Sequence, residues 1–146
     1  MAFIPFGNSY GGGSRTDDTW KLQAGQNVAK GDALTINTKT GYLIQAAVPA
    51  TLAGKRISIA PYAVDNSSGS TAADINVYND AAMEFTVDCN TNTAQTQVGQ
   101  IYNLSDTNTV DNSAVNANGV VFMRKILGTP GQKKAIVSIN PQVLPE

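Results

Sequence analysis

The segment from Met83 to Cys89 constrains the fold more strongly than any other part of the chain. Apolar and polar side chains alternate along it without a break, in the order Met83, Glu84, Phe85, Thr86, Val87, Asp88 and Cys89. A period of two is typical of a β-strand that packs one face against a core and turns the other toward solvent. Apolar residues at the helical spacing of about 3.6 form no comparable stretch in this sequence. We therefore expect an all-β fold.

Short apolar runs between turn residues predict further strands, at residues 33–37, 42–46, 56–64, 75–78, 98–104, 120–127 and 135–140. The turn at 37–41 favours a hairpin with Gly41 at a positive φ. Pro61 indicates a strand edge or a bulge, and 128–132 is rich in turn residues. Polar loops are expected at 65–73, 90–97 and 106–118, and a short helical turn at 48–54. This pattern predicts a single compact antiparallel β-sandwich or a small β-barrel.

The two ends of the chain differ from its middle. We expect an extended N-terminal arm over residues 1–19, a β domain over 20–140 and a C-terminal tail over 141–146. The arm begins with an apolar patch, Phe3, Ile4 and Phe6, and continues into three consecutive glycines that favour neither a helix nor a central strand. Such an apolar tip is expected to dock on the domain itself or on a neighbouring subunit, or else to form a disordered terminus.

Residue types that carry catalysis or bind metals are scarce. The chain has no histidine and one cysteine, Cys89, so it can form neither a Ser-His-Asp site, nor a Cys-His site, nor an intrachain disulfide. Glu84 and Asp88 share a strand face but lie about 13 Å apart, too far for a catalytic carboxylate pair. We expect no enzyme activity, no cofactor and no metal site. Calcium binding by the oxygen-rich segment 106–112 remains the open alternative.

The charge pattern bears on the partners of the chain. Ten basic and eleven acidic residues give a net charge of −1, and no run of Lys or Arg exceeds two residues. Nucleic-acid binding needs a concentrated positive field, so a nucleic-acid partner is not expected. No stretch reaches the roughly 18–20 apolar residues of a membrane span. The first residues lack the pattern of a secretion signal, which predicts a protein made in a cytoplasm.

Several segments, taken in chain order, resemble the small capsid decoration (cement) proteins of tailed phages. In that family a V-x-x-G-D hairpin opens a β-rich domain, and a G-x-x-Y-x-L strand, a polar loop and a final hairpin close it. The matching segments here are residues 25–34, 40–43, 59–63, 98–104, 119–122 and 135–139. The likeness extends over residues 20–140. The chain departs from the usual family members in its longer loops and in the glycine-rich segment 7–14.

This resemblance implies a structural virion protein, assembled in the host cytoplasm, that sits on the capsid exterior. Its partners would be the major capsid protein and further copies of itself, often as a homotrimer, and no catalytic residues would be involved. It would stabilise the shell by bridging capsid subunits. Arms that become ordered on binding reach surface that a compact body cannot. We expect the contact residues to be Phe3, Ile4, Phe6, Tyr10, Val143 and Leu144.

Two other functions are compatible with the sequence. One is a carbohydrate-binding or adhesive surface module, which exposed aromatic side chains would favour. The candidates are Trp20, Tyr42, Tyr62, Tyr78 and Tyr102. The other is a structural subunit of a phage tail. Because strands commonly bury aromatic residues, core packing is the better expectation for these five side chains.

Overall fold

The computed structural model describes residues 3–8, 17–46, 57–129 and 131–140. The strands in these residues are β1 (Ile4–Asn8), β2 (Asp17–Leu22), β3 (Asn27–Val28), β4 (Ala33–Ile36), β5 (Leu43–Gln45), β6 (Ile57–Ile59), β7 (Val64–Asp65), β8 (Ala73–Val77), β9 (Met83–Cys89), β10 (Ile101–Asp106), β11 (Thr109–Asp111), β12 (Val121–Ile126) and β13 (Lys134–Ile139). A single turn of 3-10 helix, Gln95–Gln97, lies between β9 and β10. The predicted all-β fold is confirmed.

Five strands close into a barrel. Their order is β9-β11-β10-β12-β13, and β13 pairs with β9 again, which completes the ring. Strand β9 is the longest of the five, and β13 pairs along one of its edges from Phe85 to Asp88. The opposite edge is shared: β1 pairs along Met83–Thr86 and β11 pairs in parallel along Asp88–Cys89. Closure leaves the barrel strands with few free edges, which limits unwanted strand pairing.

The remaining strands form a second, curled sheet and a small ribbon. The order in the curled sheet is β6-β4-β5-β2-β8. Ile59 and Tyr78 exchange two backbone hydrogen bonds of 2.9 Å, which draws the β6 end of this sheet toward its β8 end. Within the described ranges of the chain, strands β3 and β7 pair only with each other. In the described residues no helix is long and apolar enough to cross a membrane.

Two apolar clusters form the interior. The larger fills the barrel and includes the predicted inward face of β9, Met83, Phe85, Val87 and Cys89. The smaller is enclosed by the curled sheet and includes Leu22, Leu34, Leu43, Ile75 and Val77. Strands β4 and β6 lie between them, because Ala33, Ile57 and Ile59 belong to the barrel cluster while Leu34 belongs to the other. Strands β4 and β6 therefore contact both apolar clusters, and we call this pair of strands the shared wall.

Several predicted elements are found at their predicted places. Residues 83–89 form β9 as expected, and β4 and β5 form the expected antiparallel hairpin. Gly41 has the predicted positive φ, 75°. The last two strands also pair antiparallel, and Gly128 and Gly131 have φ values of 77° and 95° in the turn between them.

Other elements differ from the prediction. Residues 56–64 were expected as one strand, but β6 ends at Ile59 and β7 begins at Val64, with Pro61 between them. Strand β11 lies inside the predicted loop 106–118, where the three-residue segment is too short for a clear alternation. Within the predicted N-terminal arm 1–19, residues 4–8 form strand β1, which pairs with β9, and Asp17 begins strand β2. The helical turn predicted at 48–54 lies outside the described residues.

Candidate functional site

The residue that precedes strand β1 anchors it to the domain. Phe3 is 2% exposed and its ring meets the ring of Phe85 edge to face, with the centroids 6.0 Å apart. The backbone N–H of Phe3 donates to the carbonyl oxygen of Gly31 at 3.0 Å. Burial of an aromatic side chain together with an edge-to-face pair stabilises this attachment. The chain start is therefore held against the barrel by one buried side chain.

The next side chains of β1 face outward and are apolar. Ile4 lies opposite Thr86 of β9, on the face turned away from the barrel interior. Ile4 is 47% exposed and Phe6 is 56% exposed. We call these two side chains the β1 knob. Most large apolar side chains of the described residues are buried. Two exposed ones, one and three positions after the core anchor Phe3, therefore form a candidate protein-binding surface.

The backbone of β1 is poorly suited to pairing with a further strand. Among the described residues its partner is β9 alone, so β1 is an edge strand. Its register shifts between Pro5 and Gly7, which places Phe6 in a bulge. Proline has no N–H to donate, and both proline and bulges are devices that keep edge strands from adding another strand. Binding at β1 is thus expected to use the side chains of the knob.

The predicted contact residues lie in different environments in the structure. Phe3, Ile4 and Phe6 were expected to contact a partner, and the structure places the side chain of Phe3 in the core of its own domain. Ile4 and Phe6 are exposed on one short strand. Tyr10, Val143 and Leu144 lie outside the described residues. Burial therefore divides the apolar patch predicted from the sequence into a buried anchor, Phe3, and the exposed β1 knob.

A second surface feature lies at the far end of β9, where an open groove has a volume of about 590 Å³. Its lining includes Asp88 and Asn90 from the end of β9, Thr109 from β11, and Lys133 and Lys134 from the start of β13. Thr109, Asp88 and Lys134 form one row across the three strands. We call this feature the β9 groove. Sequence reasoning missed it, because its residues come together only when the barrel closes.

Cys89 contributes to the wall of the β9 groove but is almost fully buried. Burial, with a smaller effect from the negative charge of Asp88, raises the pKa of the Cys89 thiol to about 12. The thiolate is the reactive form of cysteine, so this side chain is held in its unreactive state at neutral pH. The structure thus agrees with the prediction that Cys89 lies on the inward face of its strand.

The carboxylates of the predicted calcium segment cap turns of the backbone. Asp106 accepts a hydrogen bond from the N–H of Asn108 at 2.9 Å. Asp111 accepts from the hydroxyl and the N–H of Ser113 and from the side chain of Asn90, and these bonds lower its pKa. In the part of the chain that the structure describes, no group of three or more Asp, Glu, Cys or His side chains is placed to hold a metal ion.

The five aromatic candidates for carbohydrate binding do not form one surface. Tyr102 is buried in the barrel, Tyr78 packs against that cluster and Trp20 packs against the smaller one. Tyr42 and Tyr62 are exposed. The hydroxyl oxygen of Tyr62 accepts a hydrogen bond from the N–H of Asn76 at 2.9 Å, which holds its ring against the curled sheet. Core packing, the expectation from the sequence, is confirmed for three of the five.

The chain was compared with family models, with curated proteins and with solved structures, and none of these comparisons gives a match.

Proposed function

We propose that this chain is a structural virion protein that decorates and stabilises a phage capsid. Several copies would bind the outer surface of the shell between major capsid protein subunits. The observation that carries this proposal is the β1 knob, an apolar surface displayed on a rigid β body. The resemblance of residues 20–140 to capsid decoration proteins supports the same role.

The β1 knob is the kind of surface that another protein covers. Burying an apolar side chain of this size contributes on the order of 1.5–3 kcal/mol at full burial, and Ile4 and Phe6 retain about half of their surface for such a contact. The anchor at Phe3 holds the knob in place before binding. A preorganised side chain loses less conformational entropy on binding than one on a mobile terminus.

Modest contacts suffice for a decoration protein because a capsid repeats them. Each copy contacts a symmetric lattice, and several linked copies raise the effective concentration of every further contact. The net charge of −1 produces little long-range repulsion between crowded copies. The barrel provides a stiff body through which such contacts can resist expansion of the shell.

The test uses virions of the phage whose genome encodes this chain, together with heads prepared without it. Gold-labelled antibody against the chain is expected on the capsid exterior, and the added wild-type protein is expected to sediment with the bare heads and to raise their resistance to heat. A matched variant, Ile4→Ser with Phe6→Ser, keeps the Phe3 anchor and is expected to lower occupancy. Label on the tail alone, or absence of the chain from virions, would refute the proposal.

A further inference from the structure

Phe6 of the β1 knob lies apart from the β9 groove of its own copy. Gly7, next to Phe6, pairs with Glu84 near the start of β9, whereas the groove begins at Asp88. Four residues of strand separate these positions by about 13 Å, at roughly 3.3 Å per residue. Phe6 is exposed and the groove is open in the same structure. Among the described residues Phe6 therefore leaves the groove of its own copy open to a second copy.

The β9 groove is open and larger than one aromatic side chain. Its volume of about 590 Å³ lies in the range of about 300–1,000 Å³ that holds drug-sized ligands, so the groove can admit a phenyl ring. It is bordered by two lysines, Lys133 and Lys134, both exposed. Ammonium groups interact favourably with the face of an aromatic ring. Phe6 is therefore an occupant that the groove can admit and whose ring suits the lysine border.

The charges of the β9 groove and of the strand next to the β1 knob are complementary as well. The groove carries two lysines and one aspartate, Asp88, which lies opposite Lys134 in the β9–β13 pairing. The strand next to the knob carries an acidic residue, Glu84, in register with Gly7. Contact between the two surfaces thus brings a carboxylate toward a basic rim. Complementary charges of this kind fix the orientation of partners and speed their encounter.

We propose that the β1 knob of one copy inserts Phe6 into the β9 groove of a second copy. The contact joins two different patches, so repetition around an axis closes copies into a ring, and reciprocal insertion gives a two-fold dimer. The bulge at Phe6 and the missing N–H of Pro5 make side-chain insertion the recognition mode in place of strand addition. The proposal deepens the proposed function, which requires several copies, but the contact forms without a capsid.

The experiment measures the mass of the full chain in solution by light scattering across a range of concentrations. The wild type is expected to associate. Phe6→Ala removes the knob and Lys133→Glu changes the groove charge, and each is expected to weaken association at least about tenfold, as loss of an interface hot spot does. Val115→Ala, which shortens an exposed apolar side chain elsewhere on the surface, serves as the control and is expected to associate like the wild type.

Mixing the two variants gives the decisive result. Phe6→Ala retains its groove and Lys133→Glu retains its knob, so one intact contact is possible in the mixture and none in either variant alone. A mixed dimer, identified by a mass tag on one variant, is expected. A monomeric wild type, unchanged association of Phe6→Ala, or a mixture without mixed dimers would overturn the inference. Capsid binding is measured separately. Its failure would refute the proposed function but would not contradict the contact between two copies of the chain.

Discussion

At residue 89 the barrel encloses a thiol whose ionisation opposes folding. Burial and the nearby charge of Asp88 raise the Cys89 pKa from 9.0 to about 12. The folded chain therefore keeps the thiol proton at pH values where the unfolded chain releases it. A group whose pKa is raised by folding supports the folded state fully below its unfolded pKa, and this support is lost as the pH rises toward the folded value.

We expect the free energy of unfolding to fall between about pH 9 and pH 12 through this thiol. Urea denaturation of the wild type and of Cys89→Ala at pH 8 and at pH 11 measures the effect. The wild type should lose about 1–2 kcal/mol more than the variant over this interval. Burial, with a smaller effect from Cys89, also raises the pKa of Tyr102, and only the part due to burial is common to both proteins and cancels from the difference. Equal losses in the two proteins would contradict the prediction.

Ser58 is a buried polar residue. It lies in β6, is 1% exposed, and shares a sheet face with Leu34, toward the smaller apolar cluster. Its hydroxyl oxygen makes no hydrogen bond with any residue that the structure describes. Leaving such a group buried and unsatisfied costs about 1–3 kcal/mol.

Ser58→Ala is therefore expected to leave the protein as stable as the wild type or to stabilise it by about 1 kcal/mol. Ser138→Ala is the matched control, because Ser138 is also buried but its hydroxyl accepts a hydrogen bond of 2.9 Å from Nε of Arg124. That variant should be destabilised by about 1 kcal/mol. Chemical denaturation of both variants tests the comparison, and a loss of stability in Ser58→Ala equal to that in Ser138→Ala would count against it.

At the scale of elements, one asparagine joins three segments. Asn112, which follows β11, is 2% exposed. Its side-chain oxygen accepts from the N–H and the hydroxyl of Thr91, and its amide donates to backbone oxygens of Thr91 and Asn92. Gln97 of the 3-10 turn accepts from the same amide and donates to the Asn112 carbonyl oxygen. These hydrogen bonds attach the loop that follows β9 to the residue that follows β11, beyond the last paired residues of the two strands.

Asn112→Ala is expected to destabilise the protein by about 2–3 kcal/mol, because the buried backbone groups around it lose their partners. Asn118→Ala, at an exposed position in the loop before β12, is expected to change stability by less than about 0.5 kcal/mol. Thermal unfolding of the two variants measures the difference. Similar midpoints for both would show that the loop is held by other contacts.

The elements also show where sequence reasoning succeeds. Strand β9 was predictable because one face meets the core and the other does not, which imprints a period of two on seven residues. Strands β3, β7 and β11 have only two or three residues each, too few to imprint a period. The knob was visible as an apolar patch, and strand alternation already places Phe3 on one face and Ile4 and Phe6 on the other, but which of the two faces meets the core is fixed only by the pairing of β1 with β9. The β9 groove could not be predicted from the sequence, because its residues come together only in the closed barrel.

At the scale of the whole molecule, the shared wall should couple the barrel to the curled sheet. Ile57 and Ile59 of β6 contribute to the barrel cluster, while Leu34 of the neighbouring β4 contributes to the other cluster. Unfolding the curled sheet would expose these barrel contacts to water. A domain whose two cores share strands is expected to unfold in one step, since neither core is complete without the wall.

A single tryptophan makes this expectation measurable. Trp20 packs against the smaller cluster, so its fluorescence reports on the curled sheet, whereas far-ultraviolet circular dichroism reports on the strands of both sheets. We expect the two signals to give the same denaturation midpoint in urea, and Val137→Ala in the barrel to lower both midpoints together. A fluorescence transition that stays in place in Val137→Ala, while circular dichroism moves, would show that the two cores unfold independently.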